Sequence, residues 1–252
     1  MWTLLRKEIL ELWRTRRFLV VAAVMLVFAC LGPLSIKYMP LILASLPGVP
    51  AGLGDVMPAP DVGMAVTEYV ENLSLFGLIL AILMSMGTVV GEKERNTAAM
   101  VLSKPVSRAA FLGAKMIACS VVFLVGIALA GLAGYYYLGV LFEWLNPLGF
   151  LALNGLLQAY LMMYLAITLF ASTIARSQPA AAGIPVAVLI LLGLLGAIPS
   201  FSVKLPAQLL KWGQAMALGL DGSSSWVALG VTAFIMLASW IGALWIFRRQ
   251  EI

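Results

Sequence analysis

The residues best suited to chemistry lie between positions 91 and 115. This segment, GEKERNTAAMVLSKPVSRAAFLGAK, opens with the charged residues Glu92, Lys93, Glu94 and Arg95. It is longer than a simple connection between two membrane-spanning helices requires. A charge cluster followed by apolar residues suits docking to another protein better than it suits catalysis.

The middle of this segment can form a short helix with one apolar side. Ala98, Val101 and Leu102 recur at helical spacing, Pro105 ends that helix, and Ser107 is placed to cap the next one. An apolar patch this small cannot fold as a domain, so we expect a helix over 92–104 that needs a partner surface. The alternative is a solvated loop whose basic residues only fix topology.

The residue types required for most catalytic and metal sites are missing. The chain has no His, which excludes Ser-His-Asp and Cys-His catalysis and His-ligated metals. It has no Gly-Lys-Ser/Thr triplet, so no phosphate-binding loop and no ATP site are expected. Cys30 and Cys119 lie in separate apolar stretches and are interpreted as packing residues. The sequence therefore predicts a protein that is not an enzyme and binds no cofactor.

Two further places carry polar residues of interest. Arg176 lies in a short polar corner that either contacts a partner or is a plain turn. Asn154 and Gln158 are four residues apart in an apolar stretch, so they share a helix face. They either line a path for a transported substrate or form hydrogen bonds between helices.

The elements that position these residues must lie in a bilayer. Hydrophobic residues make up 63% of the 252 residues, charged residues make up 11%, and mean hydropathy is +1.04. A soluble chain typically has about 25% charged residues. Runs without charge predict six spans, at about 18–38, 72–91, 112–138, 147–174, 179–199 and 225–247.

The connections between these spans also suggest structure. Residues 40–71 contain five prolines and are predicted to form a loop. Residues 200–221 are predicted to form an outer interfacial or re-entrant helix. The charge-free runs contain no acidic or basic residue, so we do not expect an ion-coupled carrier, and the driving energy should come from outside the chain.

Charge asymmetry predicts the orientation. With both termini inside, the inner segments hold 13 of the 16 Lys and Arg residues. Residues 1–17 carry Trp2, Leu5, Ile9 and Leu12 at helical spacing and are predicted to form an amphipathic elbow helix at the membrane surface. That helix either contacts a partner as well as lipid or serves only as a topology anchor. Basic residues spread over membrane-adjacent segments favour lipid headgroups over nucleic acid as their partners.

The segment GEKERNTAAMVLSKPVSR resembles the signature loop of ABC-2 type transporter permeases. The six spans, the amphipathic start and the loop after the second span match that family as well. Asn96 stands where the family commonly has Gly. The matching positions are Glu92, Glu94, Arg95, Thr97, Val101, Leu102, Pro105 and Arg108.

The resemblance implies a fold and a function. The fold is an all-α polytopic membrane protein with an elbow helix, a coupling helix over 92–104 and an outer helix. The function is that of an export permease in a bacterial or archaeal cytoplasmic membrane, with two permeases, expected as a homodimer, and two ATPase subunits that bind ATP and Mg²⁺. The matching residues, with Arg176, would couple to the ATPase. The alternative function is a non-transporting membrane scaffold that docks a cytoplasmic protein through residues 91–115.

Overall fold

The computed structural model describes residues 2–45, 59–94, 107–220 and 224–249, and every regular element in these ranges is a helix. We number the helices in chain order. They are α1 (Trp2–Arg14), α2 (Arg17–Ser45), α3 (Val62–Ser85), α4 (Val90–Glu94), α5 (Arg108–Leu141), α6 (Pro147–Ile174), α7 (Gln178–Gly196), α8 (Pro199–Ser202), α9 (Gln208–Ala217) and α10 (Trp226–Arg249).

Six of these segments are long and apolar enough to cross a bilayer. They are α2, α3 continued through α4, α5, α6, α7 and α10. Each holds a stretch that can span about 30 Å of hydrocarbon as a helix, whose backbone groups are satisfied within the segment. The predicted all-α fold with six spans is confirmed.

The predicted loop over 40–71 is wrong at both ends. Helix α2 continues through Pro33 and Pro40 to Ser45, because membrane helices tolerate proline where the surroundings satisfy the freed carbonyls. Helix α3 begins at Val62, ten residues before the predicted start, because the Asp61 carboxylate accepts a hydrogen bond from the Met64 N–H at 2.7 Å and caps it.

The predicted outer helix over 200–221 is two helices. Helix α8 ends at Ser202, and α9 runs from Gln208 to Ala217. Pro206 lies between them, where its missing N–H and its restriction of the preceding residue interrupt a continuous helix. Gly219, with φ of 64°, then turns the chain away in a conformation that glycine adopts without steric cost.

Helix α6 lies at the centre of the bundle and packs against α3, α5, α7, α9 and α10. Its buried side chains continue into a core that includes Tyr69, Phe123 and Met25 from α3, α5 and α2. We call one end of the bundle the basic face. It is formed by α1, α4, the start of α5, the turn between α6 and α7, and the end of α10.

Candidate functional site

A cluster of four charged side chains joins three helices at the basic face. The Lys115 ammonium lies 3.2 Å from both carboxylate oxygens of Glu8 and 2.9 Å from Oε1 of Glu92. Lys7 binds the same two residues, with its Nζ atom 3.1 Å from an oxygen of each. Helices α1, α4 and α5 are thereby tied together, and we call these four residues the ion cluster.

Burial makes this cluster unlike a surface salt bridge. The side chain of Lys115 is 3% exposed and that of Glu8 is 10% exposed. Partial burial lowers the pKa of Lys7, but the Glu8 and Glu92 carboxylates outweigh that effect and raise it above its usual range. Lys7 therefore stays charged throughout the physiological pH range.

The same region contains a cluster of three carboxylates, the arrangement most suggestive of a metal site within the described residues. Glu8, Glu11 and Glu92 each place an oxygen within 4.8 Å of the others. Lys7 and Lys115 lie against these oxygens at 2.9–3.6 Å, the farthest contact being from Lys7 to Glu11. The two ammonium groups thus stand where a bound cation would lie, and the arrangement fits ion pairing between helices.

The second span is broken just before residues 91–115, which we call the docking segment, and α6 bridges the break. Residues 86–89 form turns between α3 and α4. The Ser172 hydroxyl oxygen accepts hydrogen bonds from the N–H groups of Val89 and Val90, both at 3.1 Å, and donates one to the Met86 carbonyl at 2.7 Å. One side chain therefore satisfies the free backbone groups on both sides of the break.

Arg108 holds the end of α10 against the start of α5. Its Nη1 atom donates to the carbonyls of Phe247 and Arg248 at 2.6 and 2.9 Å, which satisfies carbonyls in the last turn of α10. The rings of Phe111 and Phe247 stack at 5.5 Å beneath this contact. Ser107 caps α5 as predicted, because its hydroxyl accepts a hydrogen bond from Ala110.

The turn between α6 and α7 completes the basic face. Arg176 is exposed there. Gln178 lies over Gly87 and Gly91, where a Cβ atom would come within 3.1–3.3 Å of its amide. Its Nε2 atom donates to the Glu94 carboxylate at 3.4 Å. The first residues of the docking segment therefore contact this turn directly.

The predicted site residues fall into two groups. Glu92, Glu94, Arg108 and Arg176 all lie on the basic face, where the first three contact other helices of the same chain. The others lie outside the described residues: Arg95, Thr97, Val101, Leu102 and Pro105. Their coupling role, like the helix over 92–104, stays a prediction.

The polar pair within α6 is divided between two environments. Asn154 is buried, its carbonyl oxygen accepts from the Tyr69 hydroxyl at 2.7 Å, and its amide donates to the Phe150 carbonyl at 2.9 Å. The bond with Tyr69 ties α6 to α3, and the bond with Phe150 lies within α6. Gln158 is half-buried, and its Oε1 atom has no hydrogen-bond partner among the described residues. A role for the pair in a substrate path stays a prediction.

Comparison with known proteins decides the family. The model of a family described as "ABC-2 family transporter protein" matches residues 2–216, from α1 through α9. The chain belongs to the ABC-2 transporter family. This ABC-2 protein is also 29% identical over 264 residues to the uncharacterized transmembrane protein YxlG of Bacillus subtilis (strain 168), a match covering 100% of this chain and 98% of that protein. It is accordingly a multi-pass membrane transport component.

Sequence reasoning missed most of the ion cluster in this ABC-2 protein. Glu8 and Lys115 received no role, and the spans were expected to lack charge. Helix α5 begins at Arg108 and includes Lys115, and the other long helices include Lys37, Glu68 and Glu71. The missed signal was Glu8, an acidic residue on the side of α1 that packs against the bundle. It lies one turn before Leu12, which is buried as well.

Proposed function

We propose that this protein is the permease subunit of an ABC exporter, and that a separate ATPase subunit docks on its basic face. Family membership carries the proposal, because ABC-2 proteins are membrane transport components and this chain has no phosphate-binding loop of its own. Two permeases, as a homodimer, and two ATPases would form the working unit. Export is the direction that the family resemblance implies.

The contacts of α4 support a coupling role for the residues that follow it. Glu92 is held by α1 and α5 through the ion cluster, and Ser172 of α6 holds the start of α4. A force applied to residues 95–106 would therefore be transmitted through α4 to α1, α5 and α6. ATP hydrolysis on the partner would supply that force.

The orientation follows from the same assignment. An ATPase must meet ATP in the cytoplasm, so the basic face is cytoplasmic and both chain termini lie there. The excess of basic residues on this face agrees with the rule that cytoplasmic segments are enriched in Lys and Arg.

A pair of charge substitutions tests the docking step. Replacing Val101 and Leu102 with Asp would place two unpaired charges in a desolvated contact, which costs several kcal/mol and weakens binding by orders of magnitude. The tagged chain is purified from its native membranes, its level is measured, and ATP hydrolysis in the eluate is assayed. We expect normal membrane levels and loss of the co-purified ATPase activity.

The matched control places the same charges on the other side of the expected helix. Ala99→Asp with Met100→Asp lies off the face formed by Ala98, Val101 and Leu102, so it should retain the ATPase activity. Equal retention by both double variants would contradict docking through this face. A wild-type eluate that contains a soluble partner without ATPase activity would support the scaffold alternative.

A further inference from the structure

Two cavities meet at Arg17, the first residue of α2. A polar cavity of about 360 Å³ lies beneath α1, between α4, α5 and the start of α7. An apolar groove of about 240 Å³ runs between α2 and α3. Arg17, Gly87 and Gln178 line both, so the polar and apolar spaces adjoin at these residues.

Arg17 is an exposed cation that has no carboxylate partner within the described residues. None of the acidic side chains in the described part of the chain lies within 4.0 Å of its guanidinium, whereas Lys7 and Lys115 are both engaged by glutamates. An unpaired guanidinium at the boundary between a polar and an apolar space is suited to binding a phosphate group.

The charges of the polar cavity balance. Its lining contains three cations, Lys7, Arg17 and Lys115, and three carboxylates, Glu8, Glu11 and Glu92. Glu11 is the least engaged of the carboxylates, since its one ion pair within the described residues is the 3.6 Å contact with Lys7. A ligand that brings one negative and one positive charge preserves this balance, with the phosphate on Arg17 and the cation on Glu11.

The groove is open toward the membrane. Val20 is 52% exposed and Leu83 is 54% exposed, on the two helices that flank it. Because both helices span the bilayer, these apolar side chains face hydrocarbon. A ligand anchored at Arg17 would therefore extend an apolar chain along the groove.

We propose that this composite site binds a phospholipid with a zwitterionic, primary-amine headgroup. The lipid phosphate binds Arg17, its ammonium group donates hydrogen bonds to Glu11, and one acyl chain lies against Val20 and Leu83. The headgroup fills the cavity beneath α1, so the lipid links α1 to the second span. The proposal does not depend on transport or on an ATPase partner.

Lipid binding to the purified chain tests the proposal. Delipidated protein in detergent is titrated with dioctanoyl phosphatidylethanolamine, and bound lipid is counted by native mass spectrometry. We expect at least tenfold weaker binding for Arg17→Gln and partial recovery for Arg17→Lys. Arg14→Gln removes the same charge from an exposed residue that lines neither cavity, so it should bind within twofold of wild type.

Headgroup comparison tests the role of Glu11. Dioctanoyl phosphatidylcholine has the same charges but no N–H donor, so wild type should bind it more weakly than phosphatidylethanolamine. Glu11→Leu, which removes both the charge and the hydrogen-bond acceptor, should abolish that preference. An unchanged preference in Glu11→Leu, or unchanged affinity in Arg17→Gln with an intact fold by gel filtration, would overturn the proposal.

A water-soluble probe separates a lipid site from a simple phosphate site. Glycerophosphoethanolamine carries the headgroup without acyl chains, and we expect it to compete at least a hundredfold less well than the lipid. Val20→Trp, which fills the groove, should weaken lipid binding and leave binding of this probe unchanged. Equal affinity for lipid and probe would show that the groove takes no part and would refute the lipid assignment.

Discussion

At the scale of single residues, buried Lys115 is the most consequential charge in the described structure. Two carboxylates contact it, and Lys7 lies near both of them. A buried ion pair contributes little net stability relative to an apolar pair, but removing one partner leaves a desolvated charge uncompensated. The ion cluster is therefore sensitive to changes that remove only one of its members.

Replacement of Lys115 with Met should be strongly destabilising. Glu8 and Glu92 would keep only Lys7 as a partner, and the loss should be about 3–5 kcal/mol in the free energy of unfolding. Denaturant unfolding in detergent, followed by circular dichroism, measures it. The double variant Lys115→Met with Glu8→Gln should recover part of the loss. A single variant within about 0.5 kcal/mol of wild type would contradict the buried cluster.

Ser172 should matter more than other serines of the bundle. Ser172→Ala leaves the N–H groups of Val89 and Val90 without their acceptor, at about 1–3 kcal/mol for each buried group. The matched control is Ser120→Ala, because Ser120 donates only to a carbonyl of its own helix. Hydrogen exchange at residues 86–94 should rise in the first variant alone. Equal exchange in both would argue against the bridge.

At the scale of elements, α9 is seated against α6 by close backbone contact. A Cβ atom on Gly149 would come within 2.0 Å of the Met216 carbonyl oxygen, and one on Gly213 within 2.7 Å of the Leu153 side chain. Only glycine permits the helices to approach this closely at these points. The approach places α9 beside the first turns of α6, at the end opposite the basic face.

Gly149→Ala should therefore displace α9. Its methyl group would meet the main chain at Met216, which cannot move aside as a flexible side chain can. We therefore expect the free energy of unfolding to fall by about 1–3 kcal/mol. Gly155→Ala in the same helix is the control, since a Cβ there meets nothing within 4 Å, and should be neutral or slightly stabilising. Thermal unfolding in detergent distinguishes the two. Similar midpoints would mean that α9 does not pack as described.

The elements were predictable where local pattern decides them. Helix α6 matches its predicted bounds, 147–174, because Asn146 caps the helix and Pro147 suits its first turn, ahead of a long apolar run. The start of α3 was not predictable in this way, because Glu68 and Glu71 lie in the helix whereas the prediction required an uncharged span. The ion cluster was not predictable from local pattern either, because Glu8 and Lys115 are 107 positions apart in sequence and only tertiary packing brings them together.

At the scale of the whole molecule, the two ends of the bundle differ in charge and should lie on opposite sides of the membrane. In a background with Cys30 and Cys119 replaced by Ala, single cysteines are placed at two exposed turn residues, Arg176 and Glu143. An impermeant maleimide added to intact cells should label Glu143→Cys only. Labelling of Arg176→Cys requires permeabilised cells. Labelling of both in intact cells would contradict the proposed orientation.

The bridge between Ser172 and the break after α3 has a consequence for biosynthesis. The ribosome releases Met86, Val89 and Val90 more than eighty residues before Ser172. Until α6 leaves the translocon, the backbone groups at this break lack their permanent partner, and α4 is held through Glu92 in the ion cluster without the support of Ser172. Nascent chains truncated before Ser172 should therefore be cut by protease near residue 90, and chains that include α6 should be protected. The basic face is completed late in synthesis, even though the helices on either side of the break are among the first to be made.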